Sequence, residues 1–230
     1  MTFPKSNHSL IKSLCLTLLA VTATSSLVAQ ETPQSWFNEG RDVVTQNLAL
    51  RNAISNSTAK NVILFIGDGM GISTITAARI LEGQLRGESG EENQLFFESF
   101  PNVALVKTYN VNQQVPDSAG SMSAMATGIK TDAGVLSVNQ SVSRGDCSTQ
   151  SGNQVMTFLE RAEMRGLATG VVTTSRLTHA TPAANYAHTI ERDFEDDGDV
   201  DELSNPIGCT DIAQQLIDFA DNVVGSNGLE

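Results

Sequence analysis

The amino-acid sequence predicts an α/β fold: a doubly wound, largely parallel sheet flanked by helices. Three observations carry this expectation. Short apolar runs alternate with longer stretches of helical periodicity, the pattern of strand and crossover helix. The first run, VILFI at 62–66, is unbroken, as suits a strand covered on both faces. Residues able to do chemistry, Asp68 and the 175–181 segment, follow directly behind such runs. That is where an open parallel sheet gathers its ligands.

In chain order, residues 1–29 are set aside first. Lys5 and Lys12 give a weakly basic start, residues 14–23 a short apolar core, and Ala29 a residue suited to cleavage. This pattern predicts a secretory signal peptide. The apolar core is about half the ~20 residues of a membrane span, so no stable span is expected. Residues 34–54 read as an amphipathic helix carrying Trp36, Phe37, Val43, Val44, Leu48 and Leu50. The first strand is 62–66. Ile72, Ile75, Ala78 and Leu81 fall on helical spacing and predict a helix over 72–85. A second strand is expected at 103–108 and a small-residue helix at 119–127. Residues 137–153, rich in Ser, Gly and Asn, read as a loop. A helix follows at 154–165 with Gly166 as its cap, then a third strand at 167–173 and a last helix at 210–221. The chain shows no internal repeat.

The chain has 230 residues, 40% hydrophobic and 17% charged, enough for a real core. Its net charge is −12, and losing residues 1–29 removes Lys5 and Lys12 and no acid, giving −14. Such a chain has no electrostatic footprint for nucleic acid. Any anionic ligand must find its positive charge locally, in metals, one arginine or helix ends. After cleavage only Cys147 and Cys209 remain. An even pair in an oxidising compartment favours a disulfide over metal ligation, since neither has a CxxC partner.

Three motifs carry the chemistry. In NVILFIGDGMG (61–71), Asp68 is boxed by Gly67 and Gly69, which let the backbone turn sharply and a bulky group approach. An ordinary Asp-Gly turn is the alternative. In VPDSAGSMSAMATGIKT (115–131), Asp117-Ser118 leads into small residues. At a helix N-terminus Ser118 would meet unpaired N–H groups that favour an anion, or serve as a nucleophile if a base or metal activates it. Capping by Asp117 or Ser118 explains those two residues but not the small ones behind. The mature chain has only His179 and His188 and no GxSxG, so metal activation through Asp68 is a better account than a Ser-His-Asp triad. In TTSRLTHATPAANYAHTIERDF (173–194), His179 and Thr181 are spaced to face one metal site. Arg192 can return to the same pocket with a fork suited to phosphate. His188 reads as a packed or half-exposed helix residue, and Arg176 as structural. Residues 191–202 hold eight acids in twelve and echo a calcium loop whose twelfth position is Ser204, not Glu; a solvated acidic loop is favoured.

Together these motifs, in this order, resemble the alkaline phosphatases over nearly all of the mature chain. The resemblance implies the alkaline-phosphatase-like version of the fold. It also implies roles, residue by residue. Asp68 matches a carboxylate bridging a zinc and the magnesium. Ser118 matches the nucleophile, which also contacts zinc. Asp117 matches the acid orienting the phosphate-binding arginine, and Arg192 that arginine. Thr181 matches a magnesium ligand, and His179 a third-metal position that is Asp or His among members. Cys147 and Cys209 match a disulfide pair of animal-type members. The cofactors implied are two zinc ions and one magnesium. The substrates implied are phosphomonoesters, in the periplasm or outside the cell, and a homodimer is left open. Met122 and Ser123 replace a small residue and a threonine of the family pattern. Further zinc ligands, several of them histidines, belong to a later part of the family's chain, so residues 30–230 are expected to be the N-terminal part of a catalytic domain, inactive by itself. A sulfatase or phosphodiesterase of the same fold is a rival, but Ser118 is followed by Ala-Gly-Ser rather than the CxPxR or SxPxR pattern. A noncatalytic module that binds metal or phosphate is the other.

Overall fold

The computed structural model describes residues 33–54, 59–201 and 206–224. The expected signal peptide lies outside them. The α-helices among the described residues are α1 Pro33–Ile54, α2 Ile72–Leu85, α3 Ser118–Thr127, α4 Phe158–Glu163, α5 Ala180–Ala183, α6 Asp197–Asp201 and α7 Ile212–Val224. The described residues fall into two units: one holds α1, the other residues 61–99 and those from 103 on. Helix α1 forms where the periodicity predicts it, but Phe37, Val43, Val44 and Leu48 are exposed.

In the larger unit α2 has the expected bounds and α3 starts one residue early, at Ser118. Helix α4 is much shorter than 154–165. Thr157 accepts from the Glu160 N–H while the Glu160 carboxylate takes the Thr157 N–H, a reciprocal cap that starts the helix at Phe158. Residues before it are drawn elsewhere: Gln154 bridges to Val138, and Val155 N–H donates to the Ser137 carbonyl. Gly166, at φ +71, turns the chain out of the helix as expected.

The expected sheet is the main difference. Among the described residues the only β pairings are two antiparallel bridges, Leu136 with Thr189 and Val138 with Gln154. The segments 62–66, 103–108 and 167–173 form no ladder. Their side chains lie open: Phe65 is 88% exposed, Leu105 97% and Val172 100%. Apolar runs favour extended chain locally, but a strand is a nonlocal object that needs a partner alongside it. None of the described residues supplies one. Only Ile66 and Val171 of these runs pack onto the core.

That core has two parts. In the first, Ala119, Met122 and Ala126 of α3 meet Ala180 and Ala183 of α5, with Leu136, Leu159, Tyr186, Ile212 and Phe219 around them. The Tyr186 and Phe219 rings meet edge to face at 6.5 Å. The second gathers Val135, Val138, Val142, Ile190, Phe194 and Val200 around Cys147. Cys147 and Cys209 form the expected disulfide, with Cα atoms 5.2 Å apart.

Candidate active site

The turn behind residue 66 is built from glycines for stated reasons. Gly69 sits at φ +65, and a Cβ on Gly67 would come within 2.6 Å of the Met70 side chain. The turn projects Asp68, whose Oδ2 accepts from the Thr181 hydroxyl at 2.7 Å. His179 Nδ1 lies 3.8 Å from the same oxygen. Thus residues 113 positions apart in sequence meet at one point.

Asp117 is the N-cap of α3. Its Oδ1 accepts from Gly120 N–H at 3.0 Å and from the Asn110 side-chain amide at 2.8 Å. Its Oδ2 accepts from Gly134 N–H at 2.9 Å and from Arg192 Nη1 at 3.3 Å. Burial alone would raise this carboxyl; the two amides, Asn110 and Arg192 outweigh it and hold it below the usual aspartate value. Ser118 is the first residue of α3, where unpaired N–H groups gather.

The small residues behind Ser118 have a steric cause. A Cβ on Gly120 would lie 2.7 Å from both Asn110 Oδ1 and the Asp132 carbonyl. Ala119 is fully buried against the alanines of α5. Ser123 is buried too; its hydroxyl accepts from Ser137 N–H at 2.8 Å and reaches the Val135 carbonyl at 3.3 Å.

Arg192 returns to this place as expected. Besides Asp117 it donates from Nη2 to His179 Nε2 at 3.2 Å; having only donors, it makes that nitrogen the acceptor. Its N–H donates to the Gly134 carbonyl at 2.8 Å. Gly134 therefore bridges Asp117 and Arg192 through its two backbone groups. Its φ is +83, and a Cβ there would collide with the Arg144 guanidinium. Arg144 is forked onto Glu191, the neighbour of Arg192, by two 2.7 Å bonds. Asn110, Gly134 and Arg144 escape the sequence reading, because each acts across a contact that no local pattern announces.

A cleft of about 400 Å³ is lined by Asp68, Ser118, Thr181, Met70, Met122 and Met125 among others. His179 and Arg192 stand outside its lining and join it through Asp68 and Asp117. Among the described residues, neither His179 nor His188 has Ser118 among its hydrogen-bond partners. His179 is engaged by Arg192. His188, expected on a helix, is in irregular chain and largely buried, its ring bonded to the Ser137 carbonyl at 2.8 Å and to Glu160 at 2.9 Å. Arg176 is exposed and forked onto Glu195, which also takes the Thr178 hydroxyl. That pairing draws the Glu195 carboxyl down to about 2. In the acidic stretch Asp199 accepts from Glu195 N–H, closing a local turn before α6.

The paired oxygens of Asp68 and Thr181 suit a hard cation such as magnesium, which binds through one or two protein oxygens and keeps several waters. A zinc site takes three or four protein ligands, and Asp68 with Ser118 falls short of that. Among the described residues no three His, Cys, Asp or Glu side chains stand close enough to hold a metal.

A family model described as Alkaline phosphatase matches residues 59–226. The chain belongs to the alkaline phosphatase family. The tissue-nonspecific alkaline phosphatase of Gallus gallus is 46% identical over 210 residues, 90% of this chain and 40% of the relative. That of Homo sapiens is 45% identical over 196 residues, 84% of this chain and 37% of the relative. The chain thus spans about two fifths of the length of these relatives. The Thermus thermophilus alkaline phosphatase structure superposes with a TM-score of 0.50 at 24% identity, covering 71% of this chain and 29% of that one. It shares the fold of alkaline phosphatases.

Proposed function

We propose that this alkaline phosphatase family member takes part in hydrolysing phosphomonoesters through a phosphoserine at Ser118. The observation that carries the reading is the meeting of Asp68, Asp117, Ser118, His179, Thr181 and Arg192, drawn from three distant motifs, around one cleft. Arg192 spends one N–H of Nη1 on Asp117 and one of Nη2 on His179, and with the second N–H of each it holds two phosphoryl oxygens. Asp117 orients that fork and cannot also act as a base, since both its oxygens are occupied. The N-terminal end of α3, where Ser118 stands, favours the developing negative charge. Ser118 Oγ attacks phosphorus in line and loses its proton; the bond to the alcohol oxygen breaks, and the alcohol leaves carrying a proton. Water then attacks the phosphoserine, freeing phosphate and restoring the Ser118 hydroxyl. A divalent cation held by Asp68 and Thr181, when bound, supplies charge that stabilises the phosphoryl oxygens. The family's two zinc ions need ligands beyond those described here.

The Cys147–Cys209 bridge supports an exported, oxidising location, periplasmic or extracellular. No helix among the described residues is long and apolar enough to cross a membrane.

Substitution in the full-length protein tests the reading. Ser118→Ala abolishes turnover of an aryl phosphate. Arg192→Ala lowers kcat/KM by ~2–3 kcal/mol, about two orders of magnitude at most. Undiminished turnover by Ser118→Ala overturns it.

A further inference from the structure

We propose that Asn110 is a positioning residue for phosphate binding, its side-chain amide fixing the Asp117 carboxylate that holds Arg192. The inference rests on the phosphatase reading above. Asn110 is 2% exposed and lies seven residues before Asp117. Its Nδ2 donates to Asp117 Oδ1 at 2.8 Å, a shorter contact than the 3.3 Å from Arg192 to Oδ2. The amide cannot be turned round, because its oxygen would then face a carboxylate oxygen. As it stands, Asn110 Oδ1 is buried with no hydrogen-bond partner among the described residues. A buried unpaired acceptor is costly, so its retention calls for a reason.

The backbone around Asn110 is tied down so that this amide has one place to point. Asn110 N–H donates to the Gln113 carbonyl at 2.9 Å, and Val111 N–H to the Thr131 carbonyl at 2.9 Å. The Asn112 side chain accepts from Ala133 N–H at 2.9 Å. These last two bonds knit the 110–113 loop to the 131–134 loop that delivers Gly134 N–H to Asp117. Two linked loops thus present one donor to each carboxylate oxygen. The absence of a side chain at Gly120 leaves room for the amide, since a Cβ there would meet Asn110 Oδ1 at 2.7 Å. With both oxygens fixed, the carboxylate plane is set, and so is the direction of its bond to Arg192.

The test is a double-mutant cycle in the full-length enzyme, read by competitive inhibition with inorganic phosphate and by aryl phosphate kinetics. Asn110→Leu removes the donor while keeping the branched outline of the amide, and adds no charge. It raises the phosphate inhibition constant and KM by about ten-fold, with kcat changed less than about three-fold. In an Arg192→Ala background the same substitution changes phosphate affinity less than about two-fold, because the group it acts through is gone. Thermal unfolding is measured on each variant, and Asn110→Ala replaces Asn110→Leu if the latter does not fold. Equal losses in both backgrounds, or no loss in either, overturn the inference and leave the phosphatase reading standing. A parent enzyme that neither turns over aryl phosphate nor binds phosphate overturns that reading, and this inference with it.

Discussion

Asp117 shows how much one side chain does in this molecule. It caps α3, accepts from two loops and holds Arg192. The sequence shows only an Asp-Ser pair ahead of small residues, so its capping role was legible and its loop donors were not. His188 is the instructive correction at this scale. Its ring meets an acceptor at each nitrogen, the Ser137 carbonyl and the Glu160 carboxylate, an arrangement that favours the doubly protonated ring. Burial opposes this, but Glu160 and Ser137 outweigh it and raise the His188 pKa. Burial likewise opposes the charge on Glu160, and His188 and Thr157 outweigh it and lower that pKa. His188 lies above its ordinary 6.5 when folded, so its contribution is complete below that pH and is lost as pH rises through the raised value. Glu160 lies below its ordinary 4.5, so its contribution is complete above that pH and is lost as pH falls through the lowered value. The pair therefore stabilises most between about 4.5 and 6.5. The difference in thermal midpoint between the 230-residue chain and its His188→Gln variant should be largest in that window and shrink above it. A pH-independent difference contradicts the ion pair.

At the scale of elements, the sequence locates helices well and pairing poorly. Periodicity gives α2 its bounds and caps give α3 its start, because both are local properties. The start of α4 was missed because the hydrophobic pattern continues upstream of Thr157 while the hydrogen bonds do not: residues 154 and 155 pair with the 137–138 segment instead. The three apolar runs were legible as strand-like, yet none of the described residues pairs with them, and pairing is not written in a run itself. The sterics of α3 yield a prediction of their own. Gly120→Ala places a methyl 2.7 Å from Asn110 Oδ1 and the Asp132 carbonyl. One of the contacts is backbone, so the strain cannot be relieved by a flexible side chain. Despite the better helix propensity of alanine, it should destabilise by ~1–3 kcal/mol. Urea unfolding checks it; a neutral or stabilising change shows that the loop yields.

For the whole molecule, the site was legible as a set of residues and much less as an object. Asp68, Asp117, His179, Thr181 and Arg192 were each named from motif and family resemblance, and the structure brings them together. The disulfide has a measurable weight: it spans a separation of 62 residues that includes His179, Thr181 and Arg192. Reducing it should cost ~4 kcal/mol in the chain-entropy model, read by urea unfolding with and without reductant. No change would show that the bridge does not constrain the unfolded chain. Metal content is a second whole-chain test. The 230-residue chain, exhaustively dialysed, should retain no stoichiometric zinc by elemental analysis, since among the described residues Asp68 and Ser118 are too few ligands. Two zinc ions per chain would show that other residues complete the sites. The central claim is that Ser118 carries the phosphoryl group. Its most direct test is to quench the full-length enzyme in acid with labelled phosphate and map the labelled peptide. The account predicts label on Ser118 alone, absent from Ser118→Ala. Label on any other residue, or an active enzyme that never becomes labelled, would contradict it.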